Sequence, residues 1–352
     1  MSTPVNTATN TAATAAARAS AKAANKNGAP PILQVNELEV TYYTDAGRAR
    51  ALDHVSFTLN SGEKMGLVGE SGSGKSTMAL AMMRMIKPPG RIEGGQVIVG
   101  DTDLMKLSEN EMRAARLSKI SYIPQGAMNS INPVLRIEAQ MKDGLKAHEP
   151  GMSNDAMNRR IHEALEGVDL KPGVARMYAH ELSGGMKQRV CIAIGILLKP
   201  QVIIADEPTS ALDVVTQRQV METLDSVQKQ LGAAIILIGH DMGLMAQFVD
   251  RVAVMYAGRL AELSAVQEMF TSPMHPYAQA LIDSLPNLEN RGIFKGIPGL
   301  APSILRLPPG CAFHPRCAHV MDACKNVVPP LERMPSGRFV SCHLYDKEGN
   351  KK

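Results

Sequence analysis

The chain has no apolar run able to cross a bilayer. The longest, Val190 to Leu198, is under half of the roughly 20 residues a spanning helix needs. It shows no basic-then-apolar leader, a pattern that predicts a protein on the cytosolic side unless a partner places it elsewhere. Residues 1–36 contain no acid, and their Arg18, Lys22 and Lys26 supply +3 of the formal net charge of +4. The remainder is close to neutral, without the basic stripe that a general nucleic-acid binder carries. No internal repeat is visible. What is present is a hydrophobic content of 45% and a charged content of 20%, the balance of a globular protein with a substantial core. At 352 residues, one large domain with an appendage or two domains are expected.

Residues 1–31 are rich in Ala, Thr, Asn and Ser and read as a disordered tail, because they cannot bury enough surface to offset ordering. From Ile32 the pattern changes. Leu33-Val35, Leu38-Val40-Tyr42 and Val55-Phe57-Leu59 alternate as half-buried strands do. Further short apolar strands are predicted at 64–68, 97–99, 120–123, 202–205, 235–238 and 252–254, with helical stretches between them. That alternation predicts an α/β sheet covered on both faces. A helix is expected over Lys75 to Ile86, with Met78, Met82, Met83 and Met85 as core filling. Residues 126–182 are polar and largely helical, with breaks at Pro133, Pro150-Gly151 and Pro172-Gly173, and read as an inserted helical subdomain. The α/β region is placed at 32–265. A loop-rich extension at 266–352 follows, because its prolines exclude long helices and strands.

Gly69-Glu70-Ser71-Gly72-Ser73-Gly74-Lys75-Ser76, followed by Thr77, fits the G-x-x-x-x-G-K-[ST] phosphate loop, in the strand–loop–helix context the motif requires. Its glycines let backbone N–H groups approach phosphate oxygens, and the helix opening at Lys75 turns its positive end toward them. Lys75 can reach the β- and γ-phosphates of a nucleotide triphosphate, and the Ser76 hydroxyl is placed to ligate Mg²⁺. The apolar strand 202–205 ends in Asp206 and Glu207. Carboxylates at that end point into a ligand crevice, where Asp206 holds Mg²⁺ through water and Glu207 polarises the attacking water. Gln125, after strand 120–123, can bond Mg²⁺ or that water. His240, after strand 235–238, takes a γ-phosphate contact. Leu182-Ser183-Gly184-Gly185 cannot easily serve the same nucleotide, and suggests half of a second, shared site.

Together these residues, with the turn Ser210-Ala211-Leu212-Asp213, make the chain from about Leu33 to Ala261 resemble the ATP-binding subunit of ATP-binding-cassette (ABC) transporters. The resemblance implies a P-loop NTPase cassette with a RecA-like core, a β-subdomain and a helical subdomain. It implies two subunits sandwiching two ATPs, with Ser183, Gly184 and Gly185 of one clasping the γ-phosphate bound by the other and Asp213 contacting the opposite phosphate loop. It also implies an aromatic stacked on adenine, for which Tyr42 fits best and Tyr43 is the fallback. Met186 departs from the Gln that often ends the signature. Ser130-Ile131-Asn132-Pro133-Val134 and His275-Pro276-Tyr277 resemble importers of oligopeptides, dipeptides, nickel chelates and, in some members, oligosaccharides. Those importers imply a second, non-identical ATPase subunit, two permease subunits and an external solute-binding protein. They place the chain peripherally on the cytoplasmic face of the inner membrane. A non-transport ABC ATPase acting on DNA or ribosomes is the alternative from another class. One cassette, no coiled coil and a near-neutral core count against it.

Cys191 lies in an apolar helical run and reads as a core residue. Cys311, Cys317, Cys324 and Cys342 crowd the extension. Disulfides are disfavoured in the cytosol. Zinc usually has a tight Cys-x₂₋₄-Cys knuckle, absent here, although His314, His319 and His343 keep it open. Four thiolates suit a [4Fe–4S] cluster. The same importer subfamily implies one, since some members carry a cluster on a similar cysteine set.

Overall fold

The computed structural model describes residues 30–126, 130–285 and 296–352. Residues 1–29 of the predicted tail, and Pro286 of the extension, lie outside them. The strands run β1 (Leu33–Thr44), β2 (Gly47–Leu59), β3 (Lys64–Val68), β4 (Gly90–Val99), β5 (Thr102–Asp103), β6 (Ile120–Ile123), β7 (Val202–Asp206), β8 (Ala234–Ile238), β9 (Arg251–Tyr256), β10 (Arg259–Ala265), β11 (Glu332–Arg333) and β12 (Phe339–Val340). The helices are α1 (Lys75–Met82), α2 (Glu109–Ala115), α3 (Ile137–His148), α4 (Asn154–Glu166), α5 (Gly184–Ile196), α6 (Val214–Leu231), α7 (Met242–Phe248), α8 (Val266–Thr271), α9 (Pro276–Asp283) and α10 (Asp322–Asn326). They form two compact units, one built from residues up to 59, 65–98 and 240–352, the other from 60–64 and 99–239.

In the first unit β1 and β2 pair antiparallel, Leu33 opposite Leu59 and Val35 opposite Phe57. The two predicted strands 33–35 and 38–42 are one strand. Glu37 at φ 48 carries a bulge that keeps Val35, Leu38 and Val40 buried on either side of it. β3 runs parallel to β9, which turns through Ala257 and Gly258 into antiparallel β10. β10 pairs with β12, and β12 with β11, so the extension contributes strands to this sheet. β10 was not predicted. Its middle residue is Glu262, which breaks the apolar alternation yet is fully buried. The Glu262 Oε2 accepts the N–H groups of Met274 and His275, whereas Oε1 is buried without a hydrogen-bond partner among the described residues and has only the Arg338 guanidinium, 4.0 Å away, to offset the burial of the carboxylate. Burial raises its pKa to about 7.

Helix α1 stops at Met82, short of the predicted Ile86. Arg84 takes a left-handed φ of 49; its N–H bonds the Ala81 carbonyl while that of Met85 bonds Leu80. This is a Schellman-type ending made without glycine, so composition gave no stop signal. Met78, Met82 and Met83 fill the core as expected, whereas Met85, beyond the stop, is 40% exposed. Among the described residues of the extension, the longest element is α9, at 8 residues.

In the second unit β6, β7 and β8 are parallel neighbours. The register sets Ile123 opposite Ala205 and Asp206 opposite Ile238. α6 begins on Asp213 and ends on Gly232 at φ 65, the left-handed cap that glycine favours. The 126–182 segment contains α3, α4 and two 3₁₀ turns at 172–176 and 179–181. No helix among the described residues is long and apolar enough to cross a membrane.

Candidate functional site

The phosphate loop sits between β3 and α1 in the first unit. Gly69, Gly72 and Gly74 hold φ of 148, 76 and 105. Two of these are required by space as well. A Cβ on Gly69 would collide with the Met255 carbonyl, and one on Gly74 would sit 2.6 Å from that of Ala51. The Ser73 carbonyl accepts the Gly258 N–H, seating the loop on the β9–β10 turn. Lys75 folds back across the loop, donating to the Gly69 and Glu70 carbonyls at 2.7 and 3.0 Å. Ser71 is exposed; Ser76 and Thr77 lie half-buried in the first turn of α1. Glu70 has partners the sequence did not suggest: its N–H donates to the Tyr277 hydroxyl, and its carboxylate receives Arg316. Tyr42 is half-buried with its ring against Gly90, while Tyr43 is exposed and lies between Arg48 and Arg91. His240 is exposed, just beyond the end of β8.

The acids belong to the second unit. Asp206 is 1% exposed, and Tyr122 donates to it from β6 at 3.1 Å. Burial, then the Asp206 charge, pushes the Tyr122 hydroxyl well above its usual range, so it stays a donor at every physiological pH. Glu207 turns at φ 45, its N–H held by the Ile238 carbonyl. The strand has ended there, and its side chain leaves the direction taken by Asp206. Gln125 donates to the Glu207 carboxylate at 2.7 Å. Both residues stand two places past a register pair, Ile123 and Ala205, so parallel pairing brings them together. Tyr122 escaped sequence reading because an aromatic in a short strand signals only packing.

Ser183 caps α5, its hydroxyl accepting the Met186 N–H. Asp213 caps α6 through the N–H groups of Val215 and Thr216, and the Thr216 hydroxyl also donates to it, which lowers its pKa. Ser183, Gly184, Gly185 and Asp213 line one open cleft of 380 Å³. A Cβ on Gly185 would meet the Thr216 methyl at 2.6 Å, so a larger residue there requires the Thr216 side chain to shift. Two helix N-termini therefore open on the same cleft, a setting that favours an anion.

In the extension, all four of Cys311, Cys317, Cys324 and Cys342 line a single small pocket with His314, His319 and His343. All are free thiols. Burial pushes Cys342 up to about 12 and raises Cys311 and Cys317 as well. Cys191 is a core residue, its thiol also pushed to about 12 by burial alone.

Residues 52–210 match the family profile described as ABC transporter, and residues 261–324 that of the oligopeptide/dipeptide transporter C-terminal region. The oligopeptide transport ATP-binding protein OppD of Salmonella typhimurium is 43% identical over 314 residues, 88% of this chain and 93% of that protein. The chain belongs to the ABC transporter ATP-binding proteins. The dipeptide transport ATP-binding protein DppD of Caldanaerobacter subterraneus is 39% identical over 90% of this chain and 98% of its own. Among solved structures, an ABC cassette dimer in a post-hydrolysis state with ADP and Pi is 27% identical. It aligns with a TM-score of 0.59 over 66% of this chain and 98% of that one. The fold is thus the P-loop NTPase cassette, and the chain, like this family, hydrolyses ATP with Mg²⁺.

Proposed function

We propose that this ATPase powers the import of oligopeptides or dipeptides. One observation carries the reading: a cassette and an oligopeptide/dipeptide transporter C-terminal region occur together on this chain. We assign residues 32–265 to the cassette and 266–352 to the extension. The loop amides of Gly69 to Ser76, with Lys75 and Thr77, bind the ATP phosphates, and Tyr42 stacks on adenine. Ser76 and Asp206 hold Mg²⁺, with Gln125 beside it. Glu207 polarises the attacking water and His240 contacts the γ-phosphate. Ser183, Gly184, Gly185 and Asp213 serve the ATP of a second, non-identical ATPase subunit. The chain associates with permease subunits; we assign it two of them, an external binding protein as the source of cargo, and the cytoplasmic face of the inner membrane. Reconstitution with those partners tests this. ATP-dependent uptake of a labelled tripeptide is expected, and uptake that continues without this subunit would overturn it.

The four-cysteine pocket has the donor set for a [4Fe–4S] cluster, which would act there as a structural staple. Among the described residues, no three of its sulfur and nitrogen atoms lie within 4.8 Å of one another. A single tetrahedral zinc, with Zn–S near 2.3 Å, draws its sulfurs to about 3.8 Å. The assignment to a cluster rests on the count of four thiolates, the ligand set such clusters use. Iron and sulfide assays on anaerobically prepared protein should find about four of each; zinc without iron would reverse the assignment.

A further inference from the structure

The phosphate loop carries an acid. Glu70 follows Gly69 in a loop whose task is to hold the triphosphate of ATP, and an unneutralised carboxylate there opposes the anion. In this fold it is neutralised from far along the chain. The Arg316 guanidinium grips it with both arms, Nη1 to Oε2 at 2.7 Å and Nη2 to Oε1 at 2.9 Å. The Arg316 side chain is only 4% exposed, against 29% for Glu70, so this is not a solvent-screened surface pair. Tyr277, fully buried, accepts the Glu70 N–H at 2.8 Å and fixes the peptide that opens the loop.

Both braces are held firmly. Tyr256, Tyr277 and Phe313 pack ring against ring, with centroids 4.5 to 5.3 Å apart. Arg316 lies over the Tyr256 and Phe313 rings and donates to the Tyr256 hydroxyl at 3.3 Å. It ends the 3₁₀ turn His314–Arg316, flanked by Cys311 and Cys317 of the four-cysteine pocket. Its guanidinium also donates to the Pro298 and Ile297 carbonyls, which fixes its approach to Glu70.

We propose that Arg316 and Tyr277 are positioning residues for the nucleotide: Arg316 cancels the Glu70 charge and Tyr277 sets the opening peptide of the loop, and together they tune ATP affinity. This rests on the reading of Gly69–Ser76 as the ATP loop. The test is titration of the full chain with a fluorescent ATP analogue, alongside steady-state ATPase kinetics. Arg316→Ala should weaken nucleotide about tenfold, with the loss in KM rather than kcat, and the penalty should shrink in high salt. Arg316→Lys should fall between, since an ammonium keeps the charge without the bidentate grip. Tyr277→Phe should cost about threefold. The decisive arm is Glu70→Gln in the Arg316→Ala background, which removes the uncompensated charge and should restore most of the affinity. A purely structural role for Arg316 predicts no such rescue. Wild-type affinity in folded Arg316→Ala and Arg316→Lys, or a double variant as weak as Arg316→Ala, overturns the proposal. If Arg316→Ala does not fold, Arg316→Lys and Tyr277→Phe decide alone, with unchanged affinity in both counting against it. A wild-type chain that fails to bind the analogue would instead sink the ATP reading.

Discussion

The phosphate loop and the acid strand are supported in opposite ways. The acids at 206 and 207 are placed by parallel register, and their partners Tyr122 and Gln125 come from the neighbouring strand at matching positions. The loop is placed by its glycines locally and by Tyr277 and Arg316 at a distance, 207 and 246 residues along the chain. Sheet register is enforced by every rung of the ladder, so a single lost side chain leaves the acids where they are. A loop has no ladder, and each brace counts.

That contrast can be attacked at four points. The largest effect is expected at Glu207. Glu207→Gln keeps the strand but removes the carboxylate proposed to polarise the attacking water, so phosphate release should fall at least about a hundredfold while nucleotide still binds. Rapid turnover by this variant would remove Glu207 from its role. Next is Lys75→Ala, which takes the ammonium off the loop and should weaken ATP by roughly ten- to a hundredfold in a titration, turnover at saturation falling with it.

A smaller effect is expected on the acid side. Tyr122→Phe deletes the hydroxyl that orients Asp206 and leaves the register intact. The Mg²⁺ concentration for half-maximal ATPase should rise a few-fold, with thermal stability changed little. A collapse of the fold instead would mean that register alone does not hold the acids. The smallest concerns Glu262, which anchors the backbone just ahead of the helix carrying Tyr277. Its folded pKa of about 7 lies above the ordinary 4.5. Between those values the folded state holds a proton that the unfolded state has released. Its stabilising contribution is therefore complete below about pH 4.5 and is lost as pH rises through about 7. Melting temperatures of wild type and Glu262→Gln from pH 4.5 to 8 should converge or cross along that slope, the variant's profile being the flatter.

Legibility in the sequence follows the same division. The parallel strands, the phosphate loop, the acid pair and the signature helix could be read because each is a local pattern with a local cause. Gln125 and Glu207 could also have been paired in advance from the strands that precede them. The end of α1 could not, because Arg84 supplies a left-handed turn that composition assigns to glycine. β10 was hidden by a buried Glu262 whose partners lie beyond the next helix, α8, at 274 and 275. Arg316 was hidden most deeply. Nothing around it marks an arginine beside a cysteine as the counter-charge of a loop so far away, and only the folded chain brings it to Glu70.

The separation of Glu70 from Arg316 also has a consequence in time. A ribosome adds roughly 5–20 residues each second, so the 246 residues between them take on the order of 12–50 s to make. For most of that interval the loop also lacks its seat on the β9–β10 turn and the Tyr277 hydroxyl, and Arg316 is the last of these supports to be made. Under the role proposed for Arg316, full nucleotide affinity then waits for the extension to fold back onto the loop.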